Sequence, residues 1–223
     1  MSAKSELASD LALLEAGLLG ALDLPEDAAV ERLFRGLRAG GRPESHLHRL
    51  GDEFLAVHRL AAGGEDLSGR VEERELDLPL INMGFSGSAK LELDMAKLLA
   101  ELKARIYVVD AYHNLTPDMI EKRMEPFLDE LCTRKPGTPV LFLGAPPVLN
   151  AWLKPDRLQI DERKISLMGS IAKKMKKKYA NLHYLKGTNF YGSDDVSIDG
   201  IHVNDAAFGH MAKILIRKIR TLL

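Results

Sequence analysis

Ile106-Tyr107-Val108-Val109-Asp110-Ala111-Tyr112-His113-Asn114-Leu115-Thr116-Pro117 is the stretch whose reading decides the fold. Residues 106–109 form a short apolar run of the length of a strand buried on both faces. Polar side chains follow it at once, and Thr116 before Pro117, with Glu121 soon after, is a good helix start. The same grammar extends in both directions. Runs at 80–83, 140–143 and 183–185 read as strands, and the patterns at 89–103, 117–132, 161–178 and 205–222 read as helices. Strand and helix alternating on this spacing predict a parallel sheet covered by helices on both faces, over residues 66–223. Ligands of such sheets bind beyond the carboxyl ends of the strands, so polar residues there are the ones to weigh.

Upstream the pattern changes. Leu7, Leu11, Leu14 and Leu18 lie on one helical face, as do Val30, Leu33, Phe34 and Leu37, with Pro25 before the second set and Gly40-Gly41 after it. Leu47, Leu50, Phe54, Val57 and Ala61 continue the stripe until Gly63-Gly64. Residues 1–65 are therefore expected to form a three-helix module carrying no motif for chemistry.

Composition narrows the partners. The 223 residues hold 31 basic and 32 acidic side chains, a net charge of −1, which gives no global attraction to nucleic acid or anionic lipid. The single cysteine, Cys132, excludes an internal disulfide and a cysteine-rich zinc site. Glu6, Asp10 and Glu15 interrupt the N-terminal apolar run, so no signal peptide is expected, and the protein is expected to be soluble and, by default, cytoplasmic. The apolar stretch 139–153 contains Pro146, Pro147 and Asn150 and is well short of the ~20 residues of a spanning helix. The basic run at 173–178 reads as a solvated helix face, and Met168 and Met175 as a buried stripe.

Three clusters stand at strand ends. Gly84-Phe85-Ser86-Gly87-Ser88 is a small-residue turn that either lets backbone N–H groups approach a ligand or is simply tight. Ala89 and Leu91, flanking Lys90, exclude a phosphate-binding loop. Asn114 either donates its amide to a developing oxyanion or caps a turn, and His113 beside it is either a base or a surface residue. Asp199 and His202, three apart on a turn, either pair so that the carboxylate orients the imidazole or form an Asp-Gly turn with an unrelated histidine.

Together these segments resemble the SGNH, or GDSL-type, serine hydrolases, in the acylhydrolase branch with an Asn-(Leu or Met)-Gly-Phe-Ser-Gly block. Residues 82–87 are similar to that second block, 110–117 to the third and 199–202 to the fifth. The resemblance implies a three-layer, flavodoxin-like α/β fold. It also implies a Gly84 backbone N–H and an Asn114 amide as oxyanion donors, His202 as general base and Asp199 as its orienting carboxylate. The implied reaction is hydrolysis of a small-molecule ester of a short acyl group, acetyl esters of carbohydrates included, without metal or organic cofactor. Neither nucleic acid nor membrane is implied as a partner, and a homo-oligomer is left open.

The family's nucleophilic serine belongs to a first block, and counting back places it near Gly51-Asp52-Glu53, where a glutamate stands. Three explanations follow. Residues 54–57 are a disguised first strand, with Ser68 the next serine; or Ser86 or Ser88 is recruited; or a helical segment replaces the first strand, leaving an inactive relic or an engineered fusion whose helices serve interaction or structure. The helical stripe through Phe54 and Val57 makes the last of these the expectation.

Overall fold

The computed structural model describes residues 54–59, 67–78, 80–82, 89–146, 149, 153–192, 196–197 and 202–223. Its strands are β1 (Phe54–Arg59), β2 (Leu80–Asn82), β3 (Ala104–Asp110), β4 (Val140–Leu143) and β5 (Leu182–Leu185). The helices are α1 (Leu67–Leu76), α2 (Leu93–Leu99), α3 (Pro117–Arg134), α4 (Pro155–Lys178) and α5 (Asp205–Arg220), with a 3-10 turn at Tyr112–Asn114. The five strands form one parallel sheet in the order β2-β1-β3-β4-β5. This is the doubly wound, flavodoxin-like order.

The strand β1 corrects the expectation of a helix through Phe54 and Val57. Leu55, Ala56 and Val57 pair with Leu80, Ile81 and Asn82 on one side and with Ile106, Tyr107 and Val108 on the other. A four-residue apolar run satisfies a helical stripe and a buried strand equally well, and the vacancy between β2 and β3 decides between them. The first strand is therefore present, not replaced. It also moves the start of the α/β unit from residue 66 to Phe54, with Phe54–Leu223 one compact unit. The helices expected over residues 1–53 lie outside the described residues.

Helices pack in two groups: α1 against α5, and α3 against both α2 and α4. Strand pleating explains the division. Ile106, Val108, Leu141 and Leu143 face a core completed by Ala207, Met211, Leu215 and Ile219 of α5. The alternate residues Tyr107, Val109, Val140 and Phe142 are equally buried, as are Ile120, Met124, Phe127, Leu128 and Leu131 of α3 and Met168 and Met175 of α4. Burial on both faces is why these strands read as unbroken apolar runs. Thr116 caps α3 as the sequence predicts, its Oγ1 accepting from the Met119 N–H at 3.2 Å. The basic run at the end of α4 is the solvated face expected, its lysines all exposed, and two of them also reach α3. Lys174 Nζ donates to both Glu125 oxygens at 2.8 Å, and Lys178 pairs with Asp129, so the run clasps α3. No helix among the described residues is long and apolar enough to cross a membrane.

The segment after β5 is fixed by a close backbone approach. A Cβ on Gly187 would lie 2.5 Å from both Ala145 C and Pro146 N, in the loop that follows β4. Gly187→Ala must push that loop away and is expected to cost about 2 kcal/mol. Gly137→Ala, with nothing within 4 Å of the new methyl, should stay within about 0.5 kcal/mol of the parent. Urea unfolding of the two variants checks both values.

Candidate active site

All five strands deliver their carboxyl ends to one edge of the sheet, and that edge carries the polar residues. β3 ends at Asp110, a buried carboxylate, and the chain tightens at once into the 3-10 turn Tyr112–Asn114. The turn is closed by the Asn114 N–H donating to Ala111 O at 3.2 Å. Its side chains are anchored from a distant segment. Tyr112 Oη and Tyr191 Oη share a hydrogen bond of 2.7 Å, and His113 Nε2 lies 3.1 Å from the same Tyr191 Oη. The Tyr112 and His113 rings touch, their centroids 4.0 Å apart.

Burial governs the protonation of this group. Desolvation drives the His113 imidazole down to about 3, with the charges of Lys164, His202 and Arg157 acting in the same direction. Desolvation also pushes the Tyr191 phenol well above its usual range. His113 is thus a neutral structural imidazole near neutral pH, which resolves the choice between a base and a surface residue in favour of neither.

Asn114 stands on the turn this cluster holds. Its Nδ2 is buried and has no hydrogen-bond partner among the described residues. Leaving such a donor unpaired costs roughly 1–3 kcal/mol. Protein folds keep such groups where an acceptor arrives with the ligand.

His202 reaches the same edge from the other side of the molecule. Ser197 and Val203 form an antiparallel bridge that closes the intervening loop, Ser197 Oγ donates to His202 O at 2.6 Å, and the Asn204 N–H donates to Val196 O at 2.8 Å. Asn204 Oδ1 then caps α5 by accepting from the Ala207 N–H at 3.1 Å. His202 is exposed, yet its charge is felt by His113, so the two histidines share one neighbourhood.

The model of the GDSL-like lipase/acylhydrolase family matches residues 70–220. The chain belongs to that family. Solved structures agree in fold. A Bacteroides ovatus protein assigned as a GDSL-like lipase superposes with a TM-score of 0.70 at 23% identity, over 77% of this chain and 53% of that one. The lipase/acylhydrolase from Enterococcus faecalis gives 0.58 at 14% identity, over 76% and 96%. A carbohydrate esterase family 3 protein from Talaromyces cellulolyticus gives 0.54 at 14%, over 76% and 96%. The chain spans about half the length of the first of these. No curated protein matches it.

Within this GDSL-like chain, the structure brings Asn114 and His202 to one edge. Gly84, Ser86, Ser88 and Asp199 lie outside the described residues. The described chain resumes at Ala89 after β2, whose end is on the same edge, and two residues on comes Leu91. That residue is buried at φ 56°, a left-handed conformation costing of order 1–3 kcal/mol in a non-glycine residue.

Ser68 is placed by its helix. Arg220 Nη2 donates to Glu75 O at 2.8 Å, so the carboxyl ends of α5 and α1 lie side by side. Ser68 lies in the first turn of α1, beyond the segment that leaves the carboxyl end of β1 at residue 60. Between β1 and α1, residues 60–66 read Leu-Ala-Ala-Gly-Gly-Glu-Asp and contain no hydroxyl or thiol.

The sequence did not reveal Tyr191, Arg157, Asp161 or Lys164 as neighbours of this edge. None belongs to a recognisable motif. A buried Asp161 and Lys164 three apart on a helix leave no signal by spacing alone.

His113 supplies a pH test. Its folded-state value lies below its unfolded one of 6.5, so between pH 6.5 and about 3 the unfolded chain binds the extra proton. Stability due to His113 is complete above that window and falls with acidification through it. His113→Gln should flatten the fall in denaturant midpoint over this range, relative to the parent, by up to roughly 1.4 kcal/mol per pH unit. Parallel unfolding series at pH 7 and pH 4 measure the difference.

Proposed function

We propose that the carboxyl edge of the sheet is an acyl-ester hydrolysis site for small esters of short acyl groups. The single observation that carries this reading is the buried, unpartnered Asn114 Nδ2 at the end of β3, in the same neighbourhood as the exposed His202. In this reading a serine Oγ bonds to the acyl carbon while His202 takes its proton, with Asp199 orienting the imidazole. Asn114 and the Gly84 N–H receive the carbonyl oxygen as it becomes an oxyanion. His202 then returns the proton to the leaving alcohol, and water repeats the sequence to free the acid. Ser86 and Ser68 are the candidate serines.

A second reading rests on a different observation. Residues 60–66, directly after the central strand, offer no hydroxyl or thiol. On that reading the edge binds ester-like ligands without covalent turnover, as an inactive scaffold that keeps the oxyanion donor.

Labelling with a fluorophosphonate and peptide mass mapping distinguishes the two. The hydrolase reading predicts one labelled serine, lost in His202→Ala. Absence of label in a folded protein that also fails to cleave 4-nitrophenyl acetate selects the binding reading. For the hydrolase, Asn114→Ala should lower kcat by about 10²–10³ with little change in KM. The same variant should unfold at equal or higher denaturant concentration, because it deletes a donor that the free protein leaves unpaired.

A further inference from the structure

Beside the 3-10 turn a groove of about 790 Å³ opens, lined by Leu115, Thr116 and Pro117 on one wall and by Leu153, Ile160 and the start of α4 on the other. Its first residues directly follow Asn114. Lys154, Arg157 and Lys164 line it against Asp156 and Asp161, so three cations oppose two carboxylates and the wall is net positive.

Lys164 is the unusual member. Its side chain is only 9% exposed, and its nearest anionic atom is Asp161 Oδ1 at 3.9 Å, beyond hydrogen-bond length. That long ion pair leaves the ammonium with room for a further anion on its groove side. Arg157 Nε stands 3.9 Å from Asp161 Oδ2, itself buried and without a hydrogen bond. Asp161 thus stands 3.9 Å from each cation, beyond hydrogen-bond length of both. A buried ammonium is costly unless paired and hydrogen-bonded. What would complete this one is an oxyanion seated in the groove.

We propose that Lys164 and Arg157 form an anion subsite, and that the substrates of the adjoining edge are esters bearing a second, acidic group, a carboxylate or phosphate, on the acyl or the alcohol side. The reacting bond rests on the ester reading above; the anion subsite does not. Lys164 supplies point-charge donors, and the Arg157 guanidinium caps the anion from the solvent side, where its side chain is 37% exposed. Both charges are felt at His113, which ties the groove to the edge.

The experiment uses the full chain and two probes of similar shape, glutarate and glutaramide, titrated calorimetrically. The expected result is saturable binding of glutarate only, weakened at least 10-fold in Lys164→Met and Arg157→Met and largely restored in Lys164→Arg. Equal binding of glutaramide, no binding of glutarate, or an unchanged affinity in folded Lys164→Met overturns the proposal. Turnover is compared in parallel for mono-4-nitrophenyl glutarate, with the anion on the acyl side, for 4-acetoxybenzoate, with the anion on the alcohol side, and for neutral 4-nitrophenyl butyrate. A higher kcat/KM for one of the charged esters, with the preference falling at least 10-fold in Lys164→Met, assigns the side that the anion occupies. Preference for the neutral ester over both overturns the proposal while leaving hydrolysis intact. Glutarate binding without turnover of any ester instead overturns hydrolysis alone and supports the subsite.

Discussion

The double-sided pairing of β1 is the constraint on which the rest depends. Its backbone satisfies one ladder with β2 and another with β3, and each of those neighbours is only in position because β1 lies between them. A parallel sheet of this kind needs crossover helices, and these bury both of its faces. Buried faces have no room for polar chemistry, so the functional groups gather where the strands end. Asp110, the turn Tyr112–Asn114 and the loop carrying His202 all meet that requirement.

Desolvation then sorts the groups at that edge by role. Tyr112, His113 and Tyr191 are joined by hydrogen bonds of 2.7 and 3.1 Å, and desolvation favours the neutral forms of His113 and Tyr191, so the turn that carries Asn114 is anchored by an uncharged cluster. His202, exposed between the ties at Ser197, Val203 and Asn204, is the histidine to which the proposed hydrolysis gives the proton transfer. In the proposed acyl transfer Asn114 is the oxyanion donor and His202 the base. Burial likewise encloses Lys164, 3.9 Å from Asp161, in the groove beside the turn, where the anion subsite is proposed.

Much of this could be read along the chain. The strands at 106–109 and 140–143 and the cap at Thr116 are local signals, set by burial length and helix-end chemistry, and they appear where expected. Asn114 and His202 were legible because each sits in a short segment at a strand end or before a helix. The end of α2 came out shorter than its pattern, and α4 begins at Pro155, a turn and a half before its pattern does, because helix limits depend on what the flanking chain packs against. Phe54–Arg59 misled because Phe54, Leu55, Ala56 and Val57 suit a helix stripe and a buried strand alike.

The sequence by itself determined the α/β alternation, the parallel sheet and the positions of Asn114 after a strand and His202 before the last helix, since each follows from periodicity, capping or turn chemistry within a few residues. Tertiary structure alone decided that Phe54–Arg59 is a strand, because a central strand is specified by the neighbours that accept its hydrogen bonds. It alone seated Tyr191 against His113, 78 residues away, and left Lys164 buried at 3.9 Å from its carboxylate. Burial and desolvation are properties of a packed interior, and no window of sequence contains them.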